Sequence, residues 1–211
     1  MNANWITQVT PAFQKASLLR ASPWMTDGSV DFLRNFCLLR QARGNGLPRI
    51  LEFGMGAGTL FFASHSSLLV SVEHDKAWHD SVRSIVLGAG QRHCHLLLAE
   101  APYWGVAGSF EPASFDIISI DGRDRVRCLE ECLARGLLAQ DGVLVLDNTE
   151  RIRGYDAPYA AMLPLLEQDH TLIHFEQAGP DRTGWLAPHR WVTTVAFRRD
   201  QTRYTTQGAP L

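Results

Sequence analysis

Residues 49–75 read RILEFGMGAGTLFFASHSSLLVSVEHD, and this stretch decides the fold. A short apolar run, Ile50–Phe53, precedes a turn in which Gly54, Gly56 and Gly58 alternate. An apolar helical run follows, then a second strand-like run, Leu69–Val72, that ends in the acid Glu73. Glycines at this spacing let the backbone turn sharply and approach a ligand closely, with the positive end of the next helix aimed at it. An acid about twenty residues after such a turn is the usual partner of a ribose diol. The pattern is that of a nucleoside-cofactor site.

Outward from this stretch, strand and helix alternate regularly. Thr59–Ser66 reads as the first helix after the turn, and Asp75 caps a helix running to about Leu87 that Gly88 and Gly90 close. His95–Ala99, Phe115–Ile120 and Val143–Leu146 read as further strands, with a helix over Asp124–Leu138 between the last two. These strands are continuous apolar runs, as expected when helices cover both faces of a parallel sheet. A helix over Pro158–Gln168 leads to Leu172–Glu176 and Trp191–Arg198, two strands joined without a helix and hence an antiparallel pair. The expected architecture is doubly wound, Rossmann-like α/β, a mostly parallel seven-stranded sheet with an antiparallel terminal strand. N-terminal helices over Pro11–Arg20 and from Asp27 or Ser29 precede it, the second bringing Phe32, Leu33, Phe36, Cys37 and Arg40 to one face. This divides the chain into an extension (1–48), a cofactor-binding domain (49–199) and a polar tail (200–211).

Bulk properties narrow the class. The 211 residues suit one such domain, and acids outnumber bases by two, which gives no global basic field for nucleic acid or a membrane surface. The four cysteines show neither CxxC nor zinc spacing, and no apolar run is long enough to span a bilayer. The expectation is a cytoplasmic protein with reduced thiols.

Charge separates the cofactor classes. In the dinucleotide fingerprint G-x-G-x-x-G the third glycine would fall at 59, where Thr59 stands; it comes one position early, at Gly58. No lysine follows the turn to bind phosphate. Glu52, two residues before the first glycine, would repel a pyrophosphate and attract the ammonium of S-adenosylmethionine. The residues favour S-adenosylmethionine.

LEFGMGAGT, with Glu73 ending the second strand, resembles the first motif and ribose acid of class I S-adenosylmethionine-dependent methyltransferases. The phrases VSVEHD, FDIISIDGRDR and GVLVLDNTER are similar to a bacterial branch of that class, and the resemblance spans roughly residues 49–198. It implies that Glu52, Gly54, Gly56 and Gly58 surround the methionine part, that Glu73 takes the ribose hydroxyls, and that Ala99 and Glu100 lie by the adenine. A purely structural account stays open beside it, in which the glycines serve packing and Glu73 merely precedes the Asp75 cap.

The ligand of an open parallel sheet lies outside the carboxyl ends of its strands. Asp121 and the pair Asp147–Asn148 stand there. In type and strand position they match the metal ligands of the catechol O-methyltransferase-like group, which implies Mg²⁺ or Ca²⁺. The match is partial, because that group's lysine base, three residues after the first ligand, is replaced by Asp124, with Arg123 beside it. Without metal, Asp121 would act as base or orient the acceptor. Arg123, Arg151, Arg153 and Tyr155 fit either an anionic or sugar-like acceptor or solvated loop charge. Trp24, Tyr103, Trp104 and Trp185 fit either a pocket roof or satellite cores. His93 and His95 read as ordinary strand residues, and His65, His74 and His79 flank the cofactor turn or the following helix, where the case for a base is weaker than at Asp121. The expected activity is methyl transfer to a small molecule or glycan, at oxygen. An aminopropyl-transferring relative, a non-catalytic cofactor-binding module and a nicotinamide oxidoreductase remain as rivals, and an edge strand such as Trp191–Phe197 offers a route to a homodimer.

Overall fold

The structure is a computed structural model that describes residues 23–152, 155–156, 158–180 and 190–199. Seven strands form one sheet: β1 (Arg49–Phe53), β2 (Leu68–Glu73), β3 (Cys94–Leu98), β4 (Phe115–Ile120), β5 (Leu138–Asp147), β8 (His170–Gln177) and β9 (Trp191–Arg198). Between β5 and β8 lies a two-residue hairpin, β6 (Arg151–Ile152) with β7 (Tyr155–Asp156). The sheet order is β3-β2-β1-β4-β5-β9-β8. The first five strands run parallel, and β9 is antiparallel to both its neighbours. The expected doubly wound sheet is therefore present, with one refinement. β9 does not lie at the edge but between β5 and β8, so its ladder groups are taken on both sides and Trp191–Phe197 offers no free edge for a second copy.

Helices α1 (Asp27–Ala42), α2 (Ala57–Ala63), α3 (Lys76–Gly88) and α4 (Arg125–Ala134) surround the sheet. Asp75 caps α3 as its sequence position indicates, accepting from the Trp78 N–H at 2.8 Å. α4 is shorter than its apolar pattern implies, because the chain turns back at Gly136 (φ +61°) and β5 already begins at Leu138. Pro158–Leu165 is 3₁₀ rather than α-helical; Pro164 inside it removes an amide donor and disfavours the α conformation of the residue before it. A second 3₁₀ stretch, Tyr103–Ser109, was not legible as a helix. The expected helix over 11–20 and the polar tail lie outside the described residues.

Period-2 alternation sorts the strands into two faces. On one, Leu51, Phe53, Val70, Val72, Ile118, Ile120, Leu144 and Leu146 pack with Cys128, Leu129 and Cys132 of α4 and with Met162 and Leu166. On the other, Ile50, Leu69, Ile117, Val143 and Val195 pack with Leu33, Phe36 and Cys37 of α1 and with Phe61 and Phe62 of α2. Helix α1 thus shares a core with the sheet. Below this second face, at the far end from the site, Asp116 is 4% exposed and joins Arg40 (3.2 Å) to Arg49 (3.1 Å).

Candidate functional site

Apolar residues fill the lower part of the second face, and polar ones replace them toward the carboxyl ends of the strands. Glu52 pairs in register with Ser71 on one side and Ser119 on the other. One pleat higher, beyond the last pairs Phe53↔Val72, Phe53↔Ile120 and Ile120↔Leu146, the same face carries Glu73, Gly54, Asp121 and Asp147, the last paired with Thr193. Two rows of polar groups therefore stand one above the other. Gly54, without a side chain, lets the Asp121–Gly122 backbone pack directly onto the upper row between Glu73 and Asp121.

The turn that follows β1 is tied at consecutive peptide groups. The Met55 N–H donates to Glu73 Oε2 (3.1 Å), the Met55 carbonyl accepts from the Trp78 indole (2.6 Å), and the Gly56 N–H donates to Thr59 Oγ1 (2.9 Å). Thr59 in turn donates to Glu52 Oε2 at 2.7 Å, and Ser71 donates to the same oxygen. Glu52 is thus placed beneath the turn, 2% exposed. Burial pushes its carboxyl up to about 8, against the pull of the Ser71 and Thr59 hydroxyls.

The three glycines do different things. A Cβ at Gly54 would lie 2.6 Å from the Gly122 nitrogen, and its φ of +101° is closed to other residues. At Gly58 a Cβ would meet Glu52 Oε1 at 2.8 Å. At Gly56 it would meet nothing within 4 Å. Gly54 and Gly58 are required by protein packing, whereas Gly56 borders open space in which a ligand can lie.

Glu73 is buried at the end of β2. Its Oε1 accepts from the His74 and Asp75 N–H groups, both at 2.8 Å, and from His74 Nδ1 at 2.6 Å. Its Oε2 holds only the Met55 N–H among the described residues, which leaves a lone pair for a hydroxyl. Ala99 continues the β3 ladder onto the Glu73 carbonyl (2.9 Å), so Ala99 and exposed Glu100 flank the same end. The residues expected at the donor end come together.

At the ends of β4 and β5 the arrangement centres on a residue that sequence reasoning passed over. Arg125, in the first turn of α4, is 3% exposed. Its Nε donates to the Gly122 carbonyl (2.8 Å), Nη1 to the Asp147 carbonyl (2.8 Å) and to Asn148 Oδ1 (3.1 Å), and Nη2 reaches Asp121 Oδ1 (2.9 Å). Its guanidinium also lies over the Tyr159 ring, 4.2 Å from the centroid. The only signal in the sequence is the i, i+4 spacing from Asp121. Asn148, at φ +57°, takes the left-handed conformation that turns its amide toward Arg125.

Asp121, Asp147 and Asn148 are therefore close to one another, but they do not converge as a cation would need. The Asp147 carboxylate turns away to accept from Thr193 Oγ1 (2.5 Å), whose oxygen accepts from the Thr26 N–H (3.0 Å) at the start of α1. The Asp121 carboxylate and the Asn148 amide oxygen face the guanidinium. Among the described residues no three His, Cys, Asp or Glu side chains form a metal cluster. Burial, with Asp121 nearby, raises Asp147 well above the usual carboxylate range. Burial also raises Asp121, with the Arg125 guanidinium pulling against it.

The remaining candidates fall outside this geometry. Tyr103 is buried against Phe53 and its hydroxyl donates to the Arg123 carbonyl, and Trp104 packs on the same core beneath Arg127. His93 Nε2 contacts the Ala63 carbonyl (2.9 Å) and His79 Nε2 the Leu96 carbonyl (3.3 Å), both bracing contacts. Arg123 is exposed. Arg153 and Trp185 lie outside the described residues.

No family model matches the sequence, and no curated protein matches it. Solved structures do match in fold. The O-methyltransferase from Bacillus cereus, in complex with SAH, superposes with a TM-score of 0.64 at 18% identity, over 92% of this chain and 94% of that one. The O-methyltransferase TomG from Streptomyces achromogenes, involved in tomaymycin synthesis and in complex with SAM, gives 0.62 at 19% identity, over 90% of each chain. The SAH-bound methyltransferase PaMTH1 from Podospora anserina gives 0.57 at 17%, over 95% and 97%. The chain has the fold of these methyltransferases over nearly its whole length, a Rossmann-like sheet with an antiparallel strand near its end. Among the described residues no helix is long and apolar enough to cross a membrane.

Proposed function

We propose that this chain transfers the methyl group of S-adenosylmethionine to an oxygen of a small-molecule or sugar acceptor. The observation that carries the reading is the open space over Gly56, in a turn that follows β1 between the ends of β2, where Glu73 stands, and of β4, which leads into Asp121. Solved neighbours of the same fold that hold SAM or SAH support it. The donor would lie across the turn, its ribose diol on Glu73 Oε2 and its adenine beside Ala99 and Glu100. Its amino-acid part would rest over Gly56, above the buried Glu52 carboxyl. When bound, the sulfonium supplies an electrophilic methyl carbon.

This chain's residues supply position and a proton acceptor. Asp121 stands just beyond the end of β4, one oxygen held by Arg125. Its other oxygen takes the proton of the acceptor hydroxyl as the oxygen attacks in line. Holding the first oxygen fixes the direction of the second. Calorimetric titration with S-adenosylmethionine and S-adenosylhomocysteine tests the donor half; absence of binding at millimolar ligand would sink it. Product mass then separates methyl from aminopropyl transfer.

A further inference from the structure

We propose that Arg125 is a built-in cation: its guanidinium permanently fills the place at the ends of β4 and β5 where a divalent ion would sit, so this site works without metal. The inference rests on reading these strand ends as the acceptor side of a methyl-transfer site. Four oxygens converge on the guanidinium: the Asp121 carboxylate, the Asn148 amide, and the Asp147 and Gly122 carbonyls, at 2.8–3.1 Å. This is a donor set of hard, oxygen-only groups, the kind that Mg²⁺ or Ca²⁺ takes. Here it is matched in number and direction by a planar fork with fixed N–H vectors.

Three features make the occupancy permanent. Arg125 is 3% exposed, so its charge cannot withdraw into water without unpacking. A buried guanidinium stripped of its partners is strongly unfavourable, which ties it to these oxygens. The Tyr159 ring lies over it at 4.2 Å and adds a cation–π contact. A cation arriving at Asp121 and Asn148 would meet a like charge within hydrogen-bond distance of both. The Asp147 carboxylate, which could add a ligand, is already turned to Thr193. The role a metal would play in orienting the catalytic carboxylate falls to Arg125, as a positioning residue.

Mn²⁺ titration followed by electron paramagnetic resonance tests this on the full chain, with Mn²⁺ alone as the probe. Wild type is expected to show no saturable uptake. Arg125→Ser, which empties the place and leaves the oxygens, is expected to gain a saturable site that is lost again in the double variant with Asp121→Asn. Arg125→Lys keeps a cation there and is expected to refuse Mn²⁺ like wild type. Saturable uptake by wild type that Asp121→Asn abolishes would overturn the proposal. So would a folded Arg125→Ser protein that takes up none, or a folded Arg125→Lys protein that takes it up. If circular dichroism shows Arg125→Ser unfolded, the comparison of wild type with Asp121→Asn still decides. Failure of S-adenosylhomocysteine to bind would end the methyl-donor reading and leave the Mn²⁺ result standing on its own.

Discussion

Ser71 and Glu52 face each other in register across the β1–β2 pair, and the serine hydroxyl donates to a carboxyl that has almost no contact with solvent. A buried acid in this setting keeps its proton well above the usual carboxylate range. Its ordinary value is 4.5, and burial pushes it up to about 8. Between those two values the folded chain holds a proton that the unfolded chain has released. Stability contributed by protonated Glu52 is therefore complete below the ordinary value and declines as pH rises toward the folded one. The melting temperature of the free protein should fall between about pH 5 and pH 8 and then level. In Glu52→Gln that part of the slope should vanish. Thermal melts across this range check it, and parallel slopes in the two proteins would refute it.

The three glycines of the turn should separate by measurement. Gly54→Ala meets backbone at 2.6 Å and requires a positive φ, so it should cost roughly 3 kcal/mol or more. Gly58→Ala presses on Glu52 Oε1 at 2.8 Å and should cost less, because a side-chain end can give. Gly56→Ala meets nothing, so urea unfolding should match wild type while affinity for S-adenosylhomocysteine drops roughly tenfold or more. A Gly56→Ala protein that binds like wild type would remove the ligand from this space.

Glu73→Gln keeps the size of the side chain and removes its charge. Hydrogen bonds to a charged group are worth about 1.5–3 kcal/mol, so S-adenosylhomocysteine affinity should fall roughly tenfold to a hundredfold. The same change weakens the hold on the Met55 N–H, and a modest loss of stability should accompany it. Calorimetry and urea unfolding read the two effects separately. Unchanged affinity would leave Glu73 with only its turn-holding role.

Asp116 provides the contrast, because it lies at the opposite ends of the strands. Asp116→Asn leaves Arg40 facing a neutral group in a largely buried setting, and should cost about 3 kcal/mol. Ligand affinity of the folded fraction should not change. A weakened S-adenosylhomocysteine affinity in folded Asp116→Asn would mean that the two ends of the sheet are coupled.

How much of this was legible in the chain follows from how local each signal is. The glycine turn, the Asp75 cap and the apolar strands depend on neighbours within a few residues, and they read directly. Glu73 was legible because its distance from the turn is set by one strand–helix–strand unit. The position of β9 inside the sheet was not, since strand order depends on a long return connection rather than on the strand's own residues. Arg125 escaped notice for a related reason. Its partners Asp147 and Asn148 are more than twenty residues away and reach it only once β4 and β5 pair. The sequence placed acids at the strand ends, but which way the Asp147 carboxylate turns depends on Thr193 of β9, itself held by Thr26 at the entry to α1.

The ties on the Met55 and Gly56 peptides bear on the order in which substrates bind. Glu73, Trp78 and Thr59 fix these peptides through the protein's own side chains, so little conformational freedom is left for a bound donor to remove. On the proposed methyl-transfer reading, the donor therefore needs no acceptor to complete its seat and is expected to bind first.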